Sequence, residues 1–237
     1  SRYLNARNRG LLLDGDSLRL SENESFKNLC VMARIGAGKT SKFVIPNVLD
    51  KAHQHCSMVI NDPKGEVFEN TSEYMKRQGF NVVVIDPENL GRSICFNPLS
   101  EARNAIEQEQ VAETLVRCGI ASGNSGKDDF WVKGAIRFVS LFIRCLKHME
   151  RNNPGYYTLH NLYYLFQNFG TDGRNLENFM SYATVDYDNS ADQTLWNEWL
   201  GVTTGNKEGI KSMVLNAITA LKSLSNQNIA KLTSQSD

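Results

Sequence analysis

The sequence is short of several things at once, and each shortage excludes something. It carries no net charge, with 26 Lys and Arg against 26 Asp and Glu. That balance excludes a polybasic nucleic-acid glove of the histone kind, while a small local patch is still allowed. No apolar run reaches the roughly 18 residues needed to span a bilayer; the longest, residues 135–146, is broken by Arg137 and Arg144. There is no signal-peptide pattern either. The cysteines, Cys30, Cys56, Cys95, Cys118 and Cys145, are odd in number and form no C-x-x-C pair. A disulfide framework or a zinc site is therefore not expected, and reduced core thiols are. His53 and His55 stand one residue apart with no third ligand in view, too little for a metal centre.

What is present suits one large domain or two small ones: 237 residues, 41% hydrophobic and 22% charged, enough to bury a core. The two parts of the chain read differently. In residues 1–100, apolar runs at 25–32 (S-F-K-N-L-C-V-M), 57–60 (S-M-V-I) and 81–85 (N-V-V-V-I) predict strands. They alternate with apolar or helical segments at 43–49 and 66–78, and Gly79 is placed to cap the second of these. That alternation predicts an α/β fold with a parallel sheet. From residue 101 onward the strand signal stops. Helices are predicted over 101–117, 129–149, from Thr158 as an N-cap, 192–202, 207–224 and 226–232, with a loop at 121–128. The expected division is thus an α/β part at 1–100 and an all-helical part at 101–237.

The most informative segment is Ala33-Arg34-Ile35-Gly36-Ala37-Gly38-Lys39-Thr40, followed by Ser41. Gly38, Lys39 and Thr40 match the closing half of the phosphate-loop pattern G-x-x-x-x-G-K-S/T, with Ala33 where the first glycine would stand. Such a loop turns successive backbone N–H groups inward around a phosphate at a helix N-terminus. Gly36 and Gly38 supply the unusual dihedrals. Lys39 would reach the β- and γ-phosphates, and the Thr40 hydroxyl would ligate Mg2+. The plainer alternative is a glycine turn with a solvated lysine. A dinucleotide fold is disfavoured, because no third glycine follows Gly36 and Gly38 at the required spacing. Pro46 marks a short first helix or a bend. After the 57–60 run comes Asn61-Asp62-Pro63-Lys64-Gly65-Glu66. Asp62 at a sheet-strand end would face the phosphates and Mg2+; alternatively Asp62 and Glu66 only cap the helix that follows.

Taken together, A-R-I-G-A-G-K-T-S-K-F-V-I-P-N-V-L (33–49), V-I-N-D-P-K-G-E-V-F-E (59–69), V-V-V-I-D-P (82–87) and F-N-P-L (96–99) resemble the TraG/TraD family of type IV secretion coupling proteins, which are conjugative DNA-transfer ATPases related to the FtsK/HerA pumps. Asp128-Asp129-Phe130-Trp131 before an apolar helix, and the helix from Gly205 to Leu224, are similar to the all-helical domain this family inserts into its ATPase core. The resemblance covers the chain from about Asn8 onward. It implies a P-loop NTPase with the first half of a RecA-like parallel sheet and an all-α inserted domain. It also implies an ATP- and Mg2+-dependent motor that engages single-stranded DNA and a relaxase and hands them to a type IV secretion channel. Family members are typically hexamers at the cytoplasmic face of the bacterial inner membrane, anchored by N-terminal helices absent here.

By position, Arg34, Ile35, Gly36, Ala37, Gly38, Lys39, Thr40 and Ser41 would form the phosphate loop. Lys39 and Asp62 would be the catalytic pair, with Asp62 joining Thr40 at the metal; Asp62, Lys64 and Glu66 would form the D-P-K-G-E element. No apolar run ending in Asp-Glu, the family's second acidic motif, occurs in the sequence. With a start at Ser1, a fragment that binds nucleotide weakly and turns over little is expected.

Three rivals belong to other classes. One is a catalytically silent substrate-docking adaptor. Another is a small-molecule P-loop kinase, which would need an arginine-rich lid. The third is an FtsK/HerA-type pump, which would lack the large helical insertion. Trp131, Phe138 and Phe142 could stack bases but sit at core spacing. Trp196 and Trp199 could dock a partner or be buried. Lys127, Lys207 and Lys211 could touch DNA or relaxase, but solvated lysines are commoner.

Overall fold

The computed structural model describes residues 4, 7–54, 56–120, 128–151, 153–169, 177–181, 190–204 and 207–237. The chain divides into two compact units, Ser1–Val83 and Val84–Asp237.

The first unit begins with an antiparallel hairpin, marked by bridges Leu4–Leu20 and Leu12–Arg19. Its backbone bonds run from Gly10 N to Leu20 O (3.1 Å), Leu20 N to Leu11 O (3.0 Å) and Leu13 N to Leu18 O (2.8 Å). Asp14 closes the tip, its Oδ1 accepting from the N–H groups of Asp16, Ser17 and Leu18. Those backbone donors, Asp16 first, hold its carboxyl below the usual range. Helix α1 (Glu22–Ser25) follows, capped by the Ser21 hydroxyl.

After the glycine loop the chain makes a π-helical turn, Thr40–Val44, and continues as α2 (Ile45–Lys51). The register changes next to Pro46, which has no N–H to give to an i−4 carbonyl; the wide turn absorbs the proline at the start of α2. Helix α3 (Glu66–Arg77) ends in a Schellman cap: Gly79 N bonds Lys76 O (3.0 Å), Phe80 N bonds Met75 O (3.1 Å), and Gly79 sits at φ +90°. The core of this unit is small. Val48 and Ala52 of the α2 side meet Val67 and Met75 of α3, with Val44, Met58, Tyr74, Phe80 and Val82 partly buried around them.

The expected α/β class and RecA-like parallel sheet are overturned. Among the described residues there is no strand, and the runs at 26–34, 56–62 and 80–86 are irregular backbone apart from the loop turn. Many of their apolar side chains lie outside, with Met32 89% exposed, Phe26 84% and Val59 fully exposed, while Met58, Phe80 and Val82 rest against the small core. The physical reason is that a strand is completed only by a neighbour. β-propensity measures the fit to a pleated, half-buried surface, and a lone apolar run has no ladder to join. Here α2 and α3 pack on each other, and among the described residues those runs join no ladder.

The second unit is helical. Helix α4 (Pro98–Glu101) is followed by α5 (Ala105–Gly119), α6 (Asp128–Met149), α7 (Leu159–Phe169), α8 (Ser190–Thr203), α9 (Lys207–Ala220), a 3-10 turn (Leu221–Ser225) and α10 (Gln227–Leu232). The single helix expected over 101–117 is two helices. Asn104 restarts it, its Oδ1 accepting from Glu107 N while Glu107 reaches back to Arg103 N. That is a capping box, displaced by one residue at the glutamate end. Thr158 caps α7 as expected, its Oγ1 accepting from Asn161 N.

Helix α6 is the centre of the core. Phe138, Phe142, Ile143 and Leu146 are fully or almost fully buried, and Trp199 of α8 meets both phenylalanines edge-on. Phe138, Phe142 and Trp199 are therefore packing residues, while Trp131 stays partly exposed. Burial of Cys145 pushes its thiol up to about 12. Arg144 leaves this apolar helix through a bidentate ion pair with Glu198.

The two ends of the unit lie side by side: Phe96 N bonds Leu232 O (2.7 Å) and Asp237 N bonds Cys95 O (3.1 Å). Among the described residues no helix is long and apolar enough to cross a membrane. The expected loop at 121–128 lies outside the described residues up to 127, as do Lys127, His55, Gly205 and Asn206.

Candidate functional site

Residues 33–41 lie exposed or half-buried at the head of the π turn. The loop is shaped by a turn in which Ala37 N bonds Arg34 O (3.2 Å) and by two left-handed glycines, Gly36 and Gly38, each at φ +82°. At Gly36 the space a side chain would fill is empty; at Gly38 a Cβ would press on Ser41 Oγ and the Lys42 stem at 3.1–3.2 Å. Both need glycine for the dihedral, and Gly38 needs it for space as well. Lys42 N closes onto Gly38 O at 2.7 Å and starts the helix. The N–H groups of Gly36, Gly38, Lys39 and Thr40 make no hydrogen bond among the described residues. Four donors at a helix N-terminus are what an anionic phosphate requires, so the residues fit a nucleotide phosphate group. Lys39 folds over the loop, its Nζ donating to Ala33 O (2.9 Å) and Arg34 O (3.3 Å). The ammonium is thus already at the loop, balanced by carbonyl dipoles in place of an anion.

Residues 57–60 form no strand, so Asp62 does not stand at a sheet-strand end. Asp62 Oδ2 instead accepts from Val67 N (2.8 Å) and Phe68 N (3.0 Å), capping α3. Gly65 turns left-handed (φ +76°) to allow this. Its other oxygen, Oδ1, makes no hydrogen bond among the described residues, and no bond or ion pair joins Asp62 to Lys39 or Thr40. Lys64 and Glu66 approach at 3.9 Å on the exposed side. His53 bonds the Tyr74 hydroxyl at 3.2 Å.

The sequence reading did not single out Asn47, Asp50 and Lys51 of α2. All three reach back to the hairpin. Their signal is i, i+3, i+4 spacing, which puts three polar groups on one helix face, in a helix whose other face is apolar.

Residues 5–237 match the family described as type IV secretory system conjugative DNA transfer. The chain is similar to the conjugal transfer protein TraG of Escherichia coli, 34% identical over 102 residues, which cover 41% of this chain and 15% of that protein. It is also similar to protein VirD4 of Agrobacterium fabrum, 30% identical over 159 residues, covering 62% of this chain and 23% of VirD4. The chain therefore spans less than a quarter of the length of these relatives. No solved structure matches it.

Proposed function

Because this chain belongs to the type IV secretory system conjugative DNA transfer family, we propose that it is the ATP-binding part of a coupling protein that powers transfer of single-stranded DNA and relaxase into a secretion channel. One observation carries the reading: four unpaired N–H donors and the Lys39 ammonium gathered around Gly36 and Gly38 at a helix start.

In this reading residues 34–41 hold the ATP phosphates. Lys39, now bonded to the Ala33 and Arg34 carbonyls, would serve the β- and γ-phosphates, and the Thr40 hydroxyl and Asp62 would be the residues that hold Mg2+. Bound Mg2+ supplies charge neutralisation at the phosphates. Residues 1–100 are the nucleotide-binding part and 101–237 the helical part. The full-length protein would act as a hexamer at the cytoplasmic face of the inner membrane. Turnover by this chain alone would be slight, since no apolar run ending in Asp-Glu is present to supply the base.

Titration of the 237-residue chain with Mg2+ and ATP tests the proposal. Binding that weakens at least about tenfold in Lys39→Ala is the expected result. The silent-adaptor alternative, favoured by Ala33 in place of the first glycine, predicts no binding in either protein. A fast ATPase rate abolished by Lys39→Ala would overturn the expectation of slight turnover by this chain alone.

A further inference from the structure

The I-P-N stretch after the glycine loop is followed by Asp50 and Lys51, and the nucleotide reading gives none of these residues a task. We propose that Asn47, supported by Asp50 and Lys51, is a positioning residue: it locks the helix that carries the glycine loop onto the hairpin of residues 10–20, so that the loop is held in a phosphate-ready shape. The proposal rests on the nucleotide-binding reading above.

Asn47 is buried. Its Oδ1 accepts from Leu12 N (2.8 Å), and its Nδ2 donates to Leu12 O (2.9 Å) and to Phe43 O (2.8 Å). One side chain therefore completes both backbone groups of a residue 35 positions away. It also takes up a carbonyl in the π turn that leads from the loop. No aliphatic residue can do this, and a carboxylate could make only the first of the three bonds.

The other two residues repeat the arrangement further along the same face. Lys51 Nζ donates to Arg9 O (2.8 Å) and Gly10 O (3.1 Å). Asp50 takes both arms of Arg19 at 2.5 and 2.6 Å. The hairpin is anchored from its other side as well: Leu11 N bonds the Ser25 hydroxyl (2.8 Å), and Gly10 is packed so closely that a Cβ would lie 2.2–2.6 Å from Ser25 Oγ, Leu20 O and Ser21 O. At the hairpin tip, Gly15 (φ +80°) lies against the Lys42 carbonyl, where a Cβ would come within 3.1 Å. Lys42 is the residue whose N–H closes onto Gly38. The hairpin thus touches the first turn after the loop at its tip and grips α2 along its length. The unpaired N–H groups of this loop are fixed by no hydrogen bond of their own, and holding the helix that follows them is what limits their spread.

The test uses the 237-residue chain, with amide hydrogen exchange and Mg2+–ATP titration in parallel, well below the melting temperature. In Asn47→Ala, exchange across residues 36–44 should rise about tenfold while residues 138–146 stay unchanged, and the ATP dissociation constant should rise about tenfold as well. Asn47→Asp, which keeps the acceptor and loses both donations, should fall between. Lys51→Met keeps the aliphatic stem, serves if Asn47→Ala does not fold, and should shift both readouts in the same direction. A folded variant with a lower melting temperature but unchanged exchange at 36–44 and unchanged affinity would overturn the proposal, because that is the signature of simple stabilisation. If the wild-type chain binds no ATP, the nucleotide reading has failed, and exchange at 36–44 still decides whether Asn47 holds the loop.

Discussion

In the second unit, Phe138, Phe142 and Trp199 are sealed among Leu141, Ile143, Leu146 and Phe166, a large and continuous apolar core. In the first unit the buried apolar residues around α2 and α3 are few and mostly small, and what ties the glycine-loop helix to the hairpin is polar: the three bonds of Asn47, the two backbone bonds of Lys51 and the Arg19–Asp50 pair. One unit resists by excluding water from large side chains; the other does so by directed hydrogen bonds at fixed places. The candidate site stands in the second kind of architecture. Exposed backbone donors need orientation more than bulk, and a loop proposed to admit a ligand cannot be closed under a core.

The sharpest way to break this comparison is truncation in the helical core. Phe142→Ala should cost the second unit about 3–5 kcal/mol, because Phe166, Phe179 and Trp199 would be left facing a cavity. Denaturant unfolding followed by tryptophan fluorescence reads this unit alone, since Trp131, Trp196 and Trp199 all lie in it. A loss below about 1 kcal/mol would show a core that relaxes, and the contrast would fail.

Next in size is Asp50→Ala, expected to cost the first unit about 2 kcal/mol by leaving the half-buried Arg19 without its carboxylate. The same pair predicts a pH dependence. The Arg19 guanidinium, through its hydrogen bonds, holds the Asp50 carboxyl below the usual carboxylate range. A carboxylate lowered on folding adds stability that is fully present above its unfolded value of about 3.9 and is lost as pH falls through the lower folded value. Amide exchange at residues 45–51 should therefore accelerate on acidification below about pH 4, and this step should vanish in Asp50→Ala. An unchanged step would assign it to Asp14, whose carboxyl is also lowered.

Smallest is Asp62→Ala, which removes the cap of α3 and should cost about 1 kcal/mol. Asp62→Asn separates the two tasks of this residue: the amide oxygen can still accept from Val67 N and Phe68 N, but the charge offered to Mg2+ is gone. Retained helix content with weakened Mg2+-dependent ATP binding would support the metal role. Equal ATP binding in wild type and Asp62→Asn would reduce Asp62 to a cap.

How legible all this was depends on distance along the chain. The Thr158 cap, the Gly79 terminator, the amphipathic α7 and the left-handed glycines of the loop were readable, because each is decided by neighbours within about four residues. The break at Asn104 is equally local, set by the Asn104–Glu107 box, but the apolar spacing runs across it and reads as one helix. The runs at 25–32, 57–60 and 81–85 were misread for a different reason. Apolar, β-branched composition shows that a segment could enter a sheet, but the partner strand is not written in the segment. Asn47 was invisible as a tie for the same reason, since its partner Leu12 is 35 residues away.

The sequence by itself determined the helix ends at Gly79 and Thr158, the left-handed glycines Gly36 and Gly38, and, through four spaced motifs, the family to which the chain belongs. Tertiary structure alone decided that the apolar runs of the first unit stay outside a sheet, that Arg144 finds Glu198, and that Asn47 grips the hairpin beside the glycine loop. The division follows from the range of the forces. Backbone dihedrals and i-to-i+4 hydrogen bonds are settled within a few residues, whereas ladders, ion pairs and buried side-chain bonds depend on which distant segments the fold brings within about 3 Å of each other.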